Sequence, residues 1–262
     1  MIVSHKNKFV FVHIPKTGGT SIVQALYPYL DPEQDIIIGG HERHDNPSTF
    51  SASEYEKNNQ LHKHSSAVEI KKVIGQDIWD EYFIFAFVRN PFARVVSLYE
   101  WWKQTEWVGE KKKKKEIKEM TFKDFTKSEY TGFTMLDSLT YKKSKKIYSQ
   151  YSKVMDVDFV GKLEDVHASF AYICGILNLP RIQVGVYNKS SQKNDPYEGY
   201  YDEESLSNVG YKFSEDAKAF GYHFNSALME KCIEDRLKEE EEAELIEQGY
   251  DQAVNLDDLD VE

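Results

Sequence analysis

Phe9-Val10-Phe11-Val12-His13-Ile14-Pro15-Lys16-Thr17-Gly18-Gly19-Thr20-Ser21 is the stretch that decides how the rest of the chain is read. Phe9 to Val12 is aromatic and β-branched with no polar break, the pattern of a parallel strand buried on both faces. Pro15 ends the ladder, and Gly18-Gly19 leave the backbone able to turn tightly. Thr20 or Ser21 is expected to cap a helix through Ile22 to Leu26, which stops before Pro28. A strand, a glycine turn and a helix N-terminus together direct amides and the positive end of a helix dipole at one point. Lys16 adds a full charge beside it, so the predicted ligand is phosphate-like.

The glycine order narrows the anion. A Walker A loop places a glycine five residues before its Gly-Lys-Ser/Thr. No glycine precedes Gly18 in this chain, and Lys16 comes before the glycine pair. The hydroxyl that holds magnesium in a nucleoside triphosphatase is therefore not in its place, which disfavours the competing reading as a P-loop kinase using ATP.

Composition sets the outer bounds. A chain of 262 residues with 40% hydrophobic and 14% aromatic content can bury a large α/β core. Two cysteines, Cys174 and Cys232, without a C-x-x-C argue against a disulfide scaffold and a thiolate zinc site. No apolar run reaches the roughly 20 residues of a membrane span, and no charged-then-apolar leader precedes Phe9. The expectation is a soluble, cytoplasmic protein. The net charge of −11 is carried entirely by residues 234–262, with thirteen acidic and two basic side chains; residues 1–233 balance at 31 of each. The expected organisation is one domain over 1–233, with a lysine-rich insertion at about 103–146, and an acidic helix or tail over 234–262. No feature points to nucleic acid.

Further along, Ile36 to Ile38 reads as a short buried strand closed by Gly39-Gly40. His41 and His44 sit in H-E-R-H, which is not the H-E-x-x-H metal pair, and no ligand set completes it. Val68, Ile70, Val73 and Ile74 have the spacing of an amphipathic helix ending at Gly75. His62 and His64 lie on the connection just ahead of its cap, where functional side chains concentrate. Gln76 to Tyr82 is read as a bridge around a buried Trp79. Tyr82 to Val88 is the second strong strand, and Arg89-Asn90-Pro91 follows it, with Pro91 suited to a helix first turn. Arg89 thus stands at the carboxyl end of a central strand, where open α/β sheets bind ligands, and a guanidinium there can fork a phosphate. Arg94 and Ser97 share a face of the helix that follows. Residues 103–146 hold thirteen lysines against seven acidic residues, a solvated helix or lid on one reading and a basic rim for an anionic acceptor on the other. Trp101, Trp102 and Trp107 are either core or a surface on which sugar rings stack. Val157 to Gly161 is a third strand, leading to a helix that carries Phe170, Ile173, Ile176 and Leu177. Tyr200 to Ser207 and Ser214 to Phe220 are short helices.

Two strings in this order resemble a known family. P-K-T-G-G-T-S (residues 15–21) resembles the 5′-phosphosulfate loop of the sulfotransferases that use 3′-phosphoadenosine 5′-phosphosulfate (PAPS). F-A-F-V-R-N-P-F-A-R-V-V-S-L-Y (residues 85–99) resembles their 3′-phosphate motif, and K-H-S-S-A-V-E-I-K-K-V-I-G (residues 63–75) their middle region. The likeness covers roughly residues 9–225 and is greatest to the carbohydrate 2-O- and 4-O-sulfotransferases and their bacterial relatives. It implies a P-loop-like three-layer α/β fold with a central, mainly parallel sheet flanked by helices. It implies PAPS as donor, adenosine 3′,5′-bisphosphate as product, no metal, and an acceptor hydroxyl, with an anionic glycan as one candidate. By the resemblance, Lys16, Thr17, Gly18, Gly19, Thr20 and Ser21 hold the 5′-phosphosulfate, Arg89 and Ser97 the 3′-phosphate, and Lys189 and Ser190 (with Lys193) another part of the nucleotide. Lys16 is also catalytic. Relatives use His or Glu as base, so His64 is the first candidate, with His62 and Glu42 as alternates. Glu164 corresponds to a structural glutamate. A non-catalytic nucleotide- or glycan-binding module of the same fold is the remaining alternative.

Overall fold

The computed structural model describes residues 1–31, 33–39, 61–104, 111–132, 134–139, 156–185 and 197–223. Its centre is a five-stranded sheet of β1 (Ile2–Ser4), β2 (Phe9–Val12), β3 (Ile36–Ile37), β4 (Phe83–Val88) and β5 (Phe159–Lys162), in the order β3-β1-β2-β4-β5. The core of the sheet is parallel: β2 pairs with β4 from Phe9↔Phe83 to Val12↔Ala86, and β4 with β5 from Phe85↔Phe159 to Val88↔Lys162. On the other side β1 runs antiparallel to both β2 and β3, making the sheet mixed. β1, which the sequence reading passed over, is a three-residue strand beside the Thr-free, polar turn His5-Lys6-Asn7-Lys8.

Helices cover both faces, the arrangement that an apolar parallel core requires. Alternation decides which side chain goes where. Phe9, Phe11, Phe85 and Phe87 face α1 (Gly19–Leu26) and α8 (Val166–Ile176), meeting Ile22, Val23, Leu26, Phe170 and Ile173. Val10, Val12, Ile84, Ala86 and Val88 face the other way, against α2 (Ala67–Ile74), α3 (Gln76–Glu81), α7 (Met135–Leu139) and α10 (Ser214–Phe220). Phe9, Phe11, Phe85 and Phe87 are fully buried, and each contributes about 1.5–3 kcal/mol relative to an exposed ring. Small smooth side chains on one face and aromatic rings on the other thus set the register: a one-residue slip would exchange the two faces.

Local signals fix the helix ends. Ser66 caps α2 through a reciprocal box with Glu69, whose carboxylate accepts the Ser66 N–H at 2.8 Å, and Gly75 at φ 92° ends it. The stretch read as a bridge around Trp79 is itself helical, α3, and its tryptophan is buried with its indole N–H donating to Asp156 at 3.3 Å. The third cluster is built on α4 (Pro91–Gln104), where Phe92, Val95, Tyr99 and Trp102 pack against α5 (Lys111–Glu119), α6 (Phe122–Lys127) and α9 (Glu203–Lys212). The lysine-rich α5 is therefore anchored: Ile117 is fully buried, and Lys103 donates to the Lys118 and Met120 carbonyls at 2.6 and 2.7 Å, a cation on a helix C-terminus. On α8 the expected face is shorter than its spacing implied, since Ile176 is 51% exposed. Among the described residues no helix is long and apolar enough to cross a membrane.

Candidate active site

The site is assembled where β2 and β4 end side by side. Thr17 closes the turn after β2 inward, its hydroxyl donating to the Ile14 carbonyl at 3.0 Å while the residue is fully buried. Helix α1 begins at Gly19, three residues before the expected start, and its N-cap is Gly18 in the left-handed region (φ 81°) with no side chain capping it. Thr20 and Ser21 are thus first-turn residues rather than caps; a glycine takes the cap because the backbone must pass through positive φ there. The first intrahelical bond runs from Ile22 N–H to the Gly18 carbonyl at 3.2 Å, so the amides of Gly19, Thr20 and Ser21 precede it and point to the loop mouth by helix geometry.

The glycine pair has a second, steric reason. A Cβ on Gly19 would come within 2.1 Å of the His13 ring, and one on Gly18 within 2.5 Å of Leu163 at the end of β5. The loop is pressed flat onto the ends of β2 and β5. Gly19→Ala is therefore expected to destabilise the fold by about 1–3 kcal/mol, because the His13 ring is enclosed and cannot yield. A thermal melt checks this; an unchanged midpoint would mean the ring moves freely.

Arg89 leaves the end of β4 toward the same mouth, and its Nη1 donates to the Lys16 carbonyl at 3.4 Å. This long bond is the single hydrogen bond of its guanidinium among the described residues. Burial lowers its pKa and the Glu164 carboxylate opposes the shift; an arginine stays charged under either influence. Glu164 organises the surroundings: it accepts the Asn90 N–H at 2.7 Å and the Tyr222 hydroxyl at 2.7 Å. Asn90 in turn accepts the Phe92 N–H at 3.0 Å, which starts α4. Tyr197, pushed up to about 12 by burial and then by Glu198, stays protonated and receives a long bond from the Asn90 amide at 3.4 Å.

His64 meets the loop from the other side. Its Nδ1 lies 2.9 Å from the His13 carbonyl oxygen. A carbonyl only accepts, so Nδ1 carries the proton, and in the neutral ring Nε2 holds the lone pair. Burial lowers its pKa to about 4, with the carbonyl bond opposing and the charges of Lys63, the Met1 ammonium and His62 adding to the shift. His64 is thus neutral at pH 7. His62 is exposed, and its Nδ1 accepts the His64 backbone N–H at 3.1 Å, a bond that holds the turn.

Of the sequence-predicted residues, Arg89 touches the Lys16 carbonyl and His64 the His13 carbonyl, so both adjoin the loop that carries Lys16 and the Thr17–Ser21 backbone. Ser97 is half-buried in the second turn of α4. Arg94, on its face of that helix, is wholly buried with its guanidinium 5.1 Å from the Phe213 ring, and so belongs to the interior. Glu42, Lys189, Ser190 and Lys193 lie outside the described residues, as do His41, His44, Trp107 and the acidic tail. The tryptophan pair divides: Trp102 is buried, whereas Trp101 is 40% exposed with the Lys16 ammonium 5.6 Å from its ring centre. One neighbour escaped the sequence reading, His13 beneath Gly19; Trp101, read there as either core or a surface for sugar rings, is exposed beside Lys16. The position of His13, two residues beyond Phe11 on the same sheet face, was the available signal. Among the described residues no group of three or more His, Cys, Asp or Glu is placed to hold a metal ion.

Comparison with known proteins supplies the class. The model of the sulfotransferase family matches residues 1–223. This chain belongs to the sulfotransferase family. The family match runs through every described element, from β1 to α10. An uncharacterized protein of Archaeoglobus fulgidus is 27% identical over 111 residues, covering 42% of this chain and 80% of that protein. No solved structure matches significantly. A sulfotransferase moves a sulfuryl group to an acceptor, and the three-layer α/β fold with its anion-directed strand ends is in keeping with that chemistry.

Proposed function

We propose that this sulfotransferase takes its sulfuryl group from PAPS and delivers it to a hydroxyl of a carbohydrate. The observation that carries the reading is the Arg89–Lys16 contact, which brings the two phosphate-type strings to one mouth from adjacent parallel strands. The residues present fit a doubly anionic nucleotide. A helix N-terminus without a side-chain cap, a lysine and a half-buried arginine offer separate anchors for two anionic groups.

PAPS supplies the activated sulfuryl group, whose S–O bond to phosphate breaks as the acceptor oxygen bonds to sulfur. The chain's residues do the rest. Amides from Thr17 to Ser21 hold the 5′ end, and Lys16 neutralises the charge that builds on the departing bridging oxygen, an interaction stronger in the transition state than before it. Arg89 and Ser97 hold the 3′-phosphate, and Lys189 and Ser190 add contacts to the nucleotide. His64 accepts the acceptor's proton on Nε2. The carbohydrate assignment rests on the resemblance to carbohydrate 2-O- and 4-O-sulfotransferases, supported by the exposed Trp101 ring beside Lys16.

Titration calorimetry with adenosine 3′,5′-bisphosphate, against ATP with magnesium, tests the reading. Tight bisphosphate binding without metal is expected. Preference for magnesium-ATP would replace it with a kinase.

A further inference from the structure

His13 has no part in the chemistry above, yet it lies under its centre. It is 4% exposed, its ring stacks on Phe11 at 5.7 Å and 22°, and its Nδ1 is buried without a hydrogen-bond partner. Gly19 is what makes room for it, since any side chain there would overlap the imidazole. Two parts of His13 then touch His64. The backbone carbonyl accepts Nδ1–H, and the ring stands edge-to-face against the His64 ring with centres 4.7 Å apart.

A buried polar atom left without a partner costs about 1–3 kcal/mol, and an apolar ring on this face would avoid that cost. Phe9 and Phe11 show that the sheet face accepts such rings. The imidazole also resists protonation: burial holds its pKa well below the usual histidine range, and the Met1 ammonium, His64, Lys63 and Lys16 act in the same direction. His13 is therefore a neutral wall whose size and seat matter, positioned by α1 and β2 together.

We infer that His13 is a positioning residue for His64: its carbonyl fixes the Nδ1–H, and its ring, seated in the gap left by Gly19, keeps water from that side so that Nε2 alone is offered as proton acceptor. The role of His64 as base rests on the proposed transfer reaction; the positioning itself does not.

Among the described residues, the charged and titratable groups acting on the pair are Lys63 and His62 on the approach to α2, the Met1 ammonium just before β1, and Lys16 on the loop. Among the described residues the aromatic ring paired with that of His64 is His13, so changing it tests that contact. The test is nitrogen NMR of the full chain labelled at histidine, for the unaltered protein, His13→Phe and His13→Ala. The unaltered protein is expected to show His64 as a single Nδ1–H tautomer, titrating near pH 4. His13→Phe retains that signature because the wall remains. His13→Ala keeps the main-chain carbonyl and with it the Nδ1–H tautomer, but admits water and moves the titration toward the ordinary value near 6.5.

With a responsive acceptor, kcat in His13→Ala falls about 10–100-fold, a fraction of the contribution of a well-placed base, and its acid limb shifts upward. A His64 that is protonated on Nε2, or that titrates normally in the unaltered protein, overturns the inference, and does so even if His13→Ala does not fold. Unchanged His64 signals in a folded His13→Ala also overturn it. Calorimetry with adenosine 3′,5′-bisphosphate on the same samples separates the two claims. A raised His64 titration in His13→Ala without bisphosphate binding by the unaltered protein upholds the positioning and sinks the donor assignment. Bisphosphate binding with an indifferent His64 does the reverse.

Discussion

Lys16→Ala lowers turnover by roughly 10²–10³-fold, while the Kd for adenosine 3′,5′-bisphosphate rises less than tenfold. The asymmetry follows from where charge appears. In the proposed reaction the donor's negative charge is at first spread over several oxygens within reach of the loop amides. As the S–O bond breaks, charge concentrates on the bridging oxygen, and a fixed ammonium there stabilises that state more than the one before it. Removing one such group costs about two to three orders of magnitude in comparable sites. The loop itself survives the substitution, because Thr17, Gly18 and Gly19 hold its shape through Ile14, Leu163 and His13. Steady-state rates and calorimetry on the same preparation give both numbers. If affinity and turnover fall together, Lys16 only binds.

Arg89→Ala raises the Kd for adenosine 3′,5′-bisphosphate by about 30-fold or more, and leaves the Kd for adenosine 5′-monophosphate nearly unchanged. The first figure corresponds to the lower end of the roughly 2–5 kcal/mol expected when one partner of a desolvated charged contact is removed. Part of the loss comes from Glu164, whose carboxylate would face an arriving phosphate without the guanidinium that now screens it. Arg89→Gln, which is shorter and keeps an amide donor without charge, recovers little. The ratio between the two nucleotides is the decisive quantity: a loss of equal size for both would show that Arg89 holds the loop through the Lys16 carbonyl and reads no 3′ group.

Long uniform patterns were legible in the sequence, and short ones were not. F-V-F-V and F-I-F-A-F-V are apolar on both faces, which only a covered parallel strand tolerates, and both form the sheet's core. The ends of those strands, and hence the meeting of Lys16 with Arg89, followed from that pattern. β1 was missed because three residues against an antiparallel partner carry too little periodicity to stand out. Cap chemistry misled at α1: Thr20 and Ser21 have the right side chains, but a backbone at φ 81° selects glycine regardless of which hydroxyl is near. Trp101 and Trp102 are adjacent, so composition cannot separate them; the helix rotation that buries one against Phe125's cluster exposes the other toward Lys16. His13 passed as part of a strand because its importance lies in what Gly19 omits.

The backbone of Lys16 has φ 67°, a conformation that a side-chain-bearing residue adopts at a cost of about 1–3 kcal/mol. Glycine at this position would relax the turn and give a hardier fold, at the loss of the ammonium that the proposed mechanism sets beside the bridging oxygen. Selection for thermal endurance and selection for catalysis therefore pull this single codon in opposite directions. A library of this protein screened only for heat resistance would drift toward glycine at Lys16 and accumulate sturdy, inert molecules.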